Sequence, residues 1–201
     1  MSKDWTGNTN SVFKCLASSH HTTDERQRED YYATDPKAAH LLMSVEPTLS
    51  NIWECACGEK HLANVFADYG VLGRASDLVD RCKNETLDFL SIDNIYWGGG
   101  DIATNPPYKY AQEFIEKALS IVDDGHYVCM FLKVTFLEGK HRKELFRQHP
   151  PKTIYVSSSR INCAKNGEFE GLRETGGSAV AYAWYVWQKG YKGATIIKWI
   201  N

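Results

Sequence analysis

What this chain lacks narrows its function before any motif is read. No apolar run in its 201 residues approaches the ~20 needed to cross a bilayer, which excludes a membrane-spanning helix. Met1 to Asn10 has no apolar core of the kind a secretory leader needs, so the chain is expected to be soluble and cytoplasmic. The six cysteines (Cys15, Cys55, Cys57, Cys82, Cys129 and Cys163) include no Cys-x-x-Cys pair, and Cys55 with Cys57 alone cannot complete a zinc site. They read as reduced thiols packed as small hydrophobes, and no metal centre is expected. Gly-x-Gly-x-x-Gly is also missing, which argues against a nicotinamide oxidoreductase.

Charge is plentiful but unevenly placed. A net charge of −2 hides 9 Lys/Arg against 15 Asp/Glu in residues 1–100, and 14 against 10 in residues 101–201. Residues 133–165 carry Lys133, Lys140, Arg142, Lys143, Arg147, Lys152, Arg160 and Lys165 against only Glu138 and Glu144. Such a basic sector fits a polyanionic partner on one face; the plainer reading is a solvated helix face.

The length suits one full α/β domain. Residues 1–29 are polar and without an apolar period, and are expected to form a flexible arm ahead of a single domain over 30–201. In that domain helix and strand signals alternate. Thr34-Asp35-Pro36 leads into a helix from Lys37 to Met43. Asn51–Cys55 reads as a strand, Gly58 as a turn and His61–Tyr69 as a helix, which is the first unit of a doubly wound sheet. Val71–Asp77 is the second strand, and Asp77 falls 23 residues after Glu54, where an acid holds a ribose diol in sites of this kind. Gln112–Val122 is an amphipathic helix, and His126–Leu132 is apolar throughout, as a central parallel strand must be. Phe136–Gln148 reads as a basic helix, and Lys152–Val156, Ala179–Trp187 and Thr195–Ile200 as strands. Trp184 and Trp187 are expected in the core. The Gly-punctuated loop Cys163–Gly177 is long enough to suggest function rather than mere connection.

The stretch that organises the chain is Asp101-Ile102-Ala103-Thr104-Asn105-Pro106-Pro107-Tyr108. A buried strand ends there, because two prolines offer no N–H and cannot continue a ladder. Asn105 and the Pro106 carbonyl offer acceptors, and Tyr108 a flat face, together suiting a planar ligand that carries an NH2 group.

Asn105-Pro106-Pro107-Tyr108 resembles the catalytic motif of S-adenosylmethionine-dependent amino-methyltransferases. Tyr32-x-Thr34-x-Pro36 resembles the segment that contacts the methionine part of the cofactor. Glu54 and Gly58 resemble that family's acidic-x-x-x-Gly-x-Gly motif, although Lys60 stands where its second glycine belongs. Asp88-Phe89-Leu90 resembles the motif whose acid receives the adenine amine; Asp93 is the rival, and Phe89 beside Asp88 favours the former. In order, these motifs resemble DNA adenine-N6 methyltransferases of phage and prophage over residues 30–200. The resemblance implies an α/β, Rossmann-like fold: a mostly parallel seven-stranded sheet, helices on both faces and an antiparallel C-terminal strand.

It also implies an activity: methyl transfer from S-adenosylmethionine to adenine N6 in DNA after base flipping, with no metal and no covalent enzyme intermediate. Asn105, Pro106, Pro107 and Tyr108 would be catalytic; Tyr32, Thr34, Glu54, Gly58, Asp77, Asp88, Phe89 and Asn105 would bind the cofactor. Lys133, Arg142, Arg160, Lys165 and Phe169 would meet nucleic acid, with residues 157–178 reading a short or relaxed sequence. Phe169 would stack on an extruded base or serve as core or lid. RNA adenine and a glutamine amide in protein present the same planar amine and stay open as substrates. A cytosine-C5 reaction is excluded, because no cysteine follows a proline. The reading of another class is a non-catalytic nucleic-acid-binding protein on a decayed methyltransferase fold, for which Lys60 is the best support.

Overall fold

A computed structural model describes residues 33–93, 97–164 and 180–201. Four α-helices are described: α1 (Lys37–Val45), α2 (His61–Asp68), α3 (Ala111–Ile121) and α4 (Arg142–Gln148). The strands are β1 (Ala33–Thr34), β2 (Ile52–Glu54), β3 (Leu72–Asp77), β4 (Glu85–Thr86), β5 (Ile102–Thr104), β6 (Tyr127–Lys133), β7 (Thr153–Ser157), β8 (Cys163–Ala164), β9 (Tyr182–Gln188) and β10 (Ile196–Ile200). Eight of them form one sheet in the order β10-β7-β9-β6-β5-β2-β3-β4. β1 and β8 pair antiparallel in a separate ribbon, Thr34 opposite Cys163.

Side-chain alternation explains why the sheet is covered on both faces. Trp53, Ile102, Met130, Leu132, Tyr185 and Trp187 point to one face, where α3 supplies Phe114 and Ile115 and α4 supplies Leu145. Ile52, Ala103, Cys129, Phe131, Trp184 and Val186 point to the other, where α1 and α2 supply Leu42, Leu62 and Phe66. Strands apolar on both faces belong in a sheet sandwiched by helices. Each buried tryptophan finds a hydrogen-bond acceptor: Trp53 Nε1 donates to Ser76 Oγ (2.9 Å), Trp184 to the Ala38 carbonyl and Trp187 to the His149 carbonyl (both 2.8 Å).

The α/β class holds, and two details of the expected sheet change. It has eight strands rather than seven, and the antiparallel member is β9, wedged between β6 and β7. The terminal strand β10 runs parallel to β7 at the sheet edge. The expected helix over 136–148 is also shorter. Val134–Leu137 forms a 3-10 turn and α4 begins only at Arg142, because Gly139 sits at φ +123°, which no helix accommodates. Among the described residues no helix is long and apolar enough to cross a membrane.

Strand order also locates the site. From β2 the chain builds outward through β3 and β4, whereas β5 and β6 lie on the other side of β2. A crevice therefore opens at the C-terminal ends of β2 and β5, where neighbouring loops diverge.

Candidate active site

A cavity of about 400 Å³ occupies that crevice. It is lined by Thr34 of β1, Glu54 of β2, Asp77 of β3, the segment Asp88-Phe89 and all four residues Asn105–Tyr108. Nine residues expected at one site from scattered positions thus converge on one cavity. Its size lies within the range for small-molecule pockets. Among the described residues no cluster of three or more His, Cys, Asp or Glu forms a metal site.

β5 ends at Thr104, and Asn105 turns the chain into the cavity wall. Asn105 Nδ2 donates to Thr34 Oγ1 (2.7 Å) and lies 4.0 Å from Cys163 Sγ. Its other end, Oδ1, is buried with no hydrogen-bond partner. A buried acceptor left unpaired costs about 1–3 kcal/mol, so such atoms are rare and usually await a ligand. Tyr108 donates its hydroxyl to Cys163 Sγ (3.5 Å), and burial pushes its phenol pKa up, so it stays protonated. The Lys133 ammonium sits 4.8 Å from the Tyr108 ring centre. Lys133 does not line the main cavity; with Tyr108 and Arg142 it lines a smaller one of about 150 Å³.

Glu54, 2% exposed, supplies a second buried acceptor on the wall, because its Oε2 also has no partner. Burial raises its carboxyl pKa well above the usual range, more than a backbone hydrogen bond lowers it, and nearby Asp77 adds to the rise. Asp77 is better served: Oδ2 accepts the Gly58 N–H (2.8 Å), and Oδ1 accepts the Val79 N–H (3.0 Å) and Arg81 Nη1 (3.3 Å). Gly58 itself stands at φ +51°, so Asp77 pins the glycine turn from below. Asp88 lies at the rim in an Asx turn, accepting the Leu90 N–H (3.0 Å) and the Ser91 hydroxyl (2.5 Å). The Ser91 bond is the main reason its carboxyl pKa falls below the usual value. Asp93, the rival acid, does not line the cavity. Phe89 packs face-on with Phe114 (5.0 Å) and edge-on to Trp53 (5.3 Å), so most of its ring belongs to the core.

Lys60 stands where the second glycine of the motif is expected. It adopts φ +65°, ψ +24° at the N-terminus of α2, the left-handed conformation a glycine takes freely. Its ammonium leaves the cavity and donates to the carbonyls of Cys82 and Lys83 (both 3.2 Å).

The expected nucleic-acid contacts divide. Arg142 is committed to its own loop, donating to the carbonyls of Phe136 (2.7 Å) and Glu138 and lying over the Phe136 ring. Arg160 is exposed after β7. Tyr32, Lys165 and Phe169 lie outside the described residues. Sequence reasoning missed Cys163 as a neighbour of Asn105 and Tyr108, and His61, Arg81 and Tyr110 as cavity residues. Only Arg81 carried a local signal, four residues after Asp77.

No protein-family model and no curated protein matches the sequence. Solved structures do match in shape. A Listeria monocytogenes protein assigned as a class I S-adenosylmethionine-dependent methyltransferase superposes with TM-score 0.54 at 14% identity, over 94% of this chain and 71% of that one. A Pyrococcus horikoshii protein assigned as an RNA methyltransferase gives 0.57 at 12%, over 90% and 99%. The type IIG restriction endonuclease BpuSI gives 0.56 at 16% over 85% of this chain, which matches only 27% of that longer one. At such identities the likeness concerns architecture: this chain has the fold of class I S-adenosylmethionine-dependent methyltransferases.

Proposed function

We propose that this protein transfers a methyl group from S-adenosylmethionine to the N6 amine of adenine in DNA. One observation carries the reading: Asn105 Oδ1, in an Asn-Pro-Pro-Tyr loop, is a buried acceptor without a partner on the wall of the cavity. An exocyclic NH2 group supplies the donor that atom needs.

The cavity fits the cofactor by the same reasoning. Glu54 Oε2, buried and unpartnered, suits an amino group; Asp77 retains lone-pair capacity for a ribose hydroxyl, and Asp88 is ionised at the rim. When bound, S-adenosylmethionine supplies an electrophilic methyl. The residues of this chain do the rest. Asn105 Oδ1 and the Pro106 carbonyl accept the amine hydrogens, which draws the nitrogen lone pair out of ring conjugation and aims it. The nitrogen's surplus proton leaves to solvent after transfer. Asn105, Pro106, Pro107 and Tyr108 form this reactive loop, in which Tyr108 clamps the ring.

Nucleic acid is favoured over protein by the excess of basic residues in 133–165, and by fold relatives described as an RNA methyltransferase and a restriction endonuclease. Residues 157–178, with exposed Arg160, are the proposed contact loop, and 30–201 the catalytic domain. The decayed-fold alternative loses its main support, because Lys60 takes the glycine conformation and points away from the cavity.

The test is transfer of labelled methyl to unmethylated DNA, with RNA and total protein in parallel. Label recovered as N6-methyladenine in DNA, and lost in Asn105→Ala, supports the reading. Label in RNA or protein alone replaces the substrate, and no label with no cofactor-induced thermal shift sinks the activity.

A further inference from the structure

We propose that the β1–β8 ribbon is a positioning device for the reactive loop: Thr34 pins the Asn105 amide with its oxygen toward the cavity, and Cys163 fixes the Tyr108 hydroxyl. The inference rests on the reaction proposed above and adds two positioning residues to it.

The ribbon stands apart from the main sheet and is only two residues long on each strand. Its one pairing that matters sets Thr34 opposite Cys163, and the Asp35 N–H to Asn162 carbonyl bond (3.0 Å) extends it. Both cross-strand partners turn to the same loop. Thr34 Oγ1 accepts Asn105 Nδ2 at 2.7 Å, and Cys163 Sγ accepts the Tyr108 hydroxyl at 3.5 Å. No other pair of residues in the ribbon shares these contacts among the described residues.

The physical need for such a device lies in the asparagine side chain. Its two ends are nearly equal in shape but opposite in hydrogen-bonding sense. An amide free to rotate would present NH2 to the cavity for part of the time, and a donor facing a substrate amine repels it. Thr34 is 4% exposed, so water does not compete for its hydroxyl oxygen. The Thr34 hydroxyl turns its own proton to Cys163 Sγ, so toward Asn105 its oxygen can only accept; the bond from Nδ2 then leaves Oδ1 as the end that faces the cavity, which is the unpartnered atom observed. Cys163 is a weak acceptor, so its bond orients the Tyr108 ring more than it stabilises the fold.

The contacts make Thr34 a neighbour of the acceptor rather than an acceptor itself. Its replacement should therefore lower turnover. Thr34→Val keeps the shape and removes the oxygen, and Thr34→Ser restores it. For Thr34→Val we expect kcat to fall roughly 10- to 100-fold, the scale at which a misplaced reacting group is felt. Thr34→Ser should recover most of the loss. Cys163→Ala should lower kcat by less, and Cys163→Ser should retain it.

A measurement independent of turnover separates this inference from the proposed reaction. In 15N-labelled protein the Asn105 side-chain amide, identified by its disappearance in Asn105→Ala, should show one proton slow to exchange. That protection should vanish in Thr34→Val and persist in Thr34→Ser. Protection or kcat unchanged in Thr34→Val would overturn the inference. If the wild-type protein methylates nothing while the amide loses protection only in Thr34→Val, the positioning stands and the proposed reaction is what fails.

Discussion

Two buried carboxylates at opposite ends of two neighbouring strands make the sharpest contrast in the molecule. Asp101 and Glu54 are each 2% exposed. Asp101 immediately precedes β5, and its oxygens accept the Ser50 N–H (2.8 Å), the Tyr127 N–H (2.8 Å) and His126 Nδ1 (3.0 Å). Glu54 closes β2 at the opposite, cavity end, with one oxygen unpartnered. Three loops meet at Asp101 and are tied there; at Glu54 the loops diverge and leave a cavity. Burial alone says nothing of role. Satisfaction separates a structural acid from one that awaits a ligand.

The contrast can be broken most strongly at the cavity end. Asn105→Ala should lower methyl transfer by about 10²–10³, the usual loss when one group aimed at the reacting atoms is removed. Its stability in urea should fall by only about 1 kcal/mol, since the Nδ2 bond to Thr34 is lost while Oδ1 has no protein bond to lose. The opposite end should answer in reverse. Asp101→Ala strands two backbone amides and should cost about 3 kcal/mol in urea unfolding, read against an unchanged KM.

Glu54→Gln sharpens the comparison through pH. Burial raises the folded pKa of Glu54 above its unfolded value of about 4.3. The folded state therefore keeps a proton that the unfolded chain releases. This contribution is fully present below the unfolded value and is lost as pH rises through the folded one. Thermal scans across this range should show the ligand-free wild type losing stability while Glu54→Gln stays flatter and melts higher at neutral pH. The variant should also bind S-adenosylmethionine more weakly; equal or tighter binding would remove Glu54 from the site.

Lys60→Gly should have the smallest effect. Relief of the left-handed backbone at φ +65° is offset by loss of the two ammonium bonds, so stability should change by less than about 1 kcal/mol. Cofactor-induced thermal shift should be equal in the two proteins. A shift that appears only in Lys60→Gly would identify the lysine as an obstacle.

Much of the site was legible because its residues sit where turn chemistry must change. Asn105-Pro106-Pro107 ends a strand by removing N–H donors, and Glu54 and Asp77 stand at strand ends set by apolar alternation. Asp88 was separable from Asp93 by its neighbour Phe89, although that ring proved to lie mostly in the core. Strands of two residues, such as β1 and β8, have no period to detect. The basic helix expected over 136–148 is shorter, because Gly139 at φ +123° breaks it and nothing in the composition of that segment shows the backbone angle.

Alternation, turn residues and the order of acids along the chain are local properties, and by itself the sequence determined from them a doubly wound α/β sheet with an Asn-Pro-Pro-Tyr loop after β5. Which polar side chains were left unsatisfied was decided only by the tertiary structure. The partner of the Asn105 amide lies 71 residues away, that of the Tyr108 hydroxyl 55 and the Ser50 amide bound by Asp101 51. A hydrogen bond acts over about 3 Å, so whether an acceptor is occupied depends on packing between distant segments, which no spacing along the chain encodes.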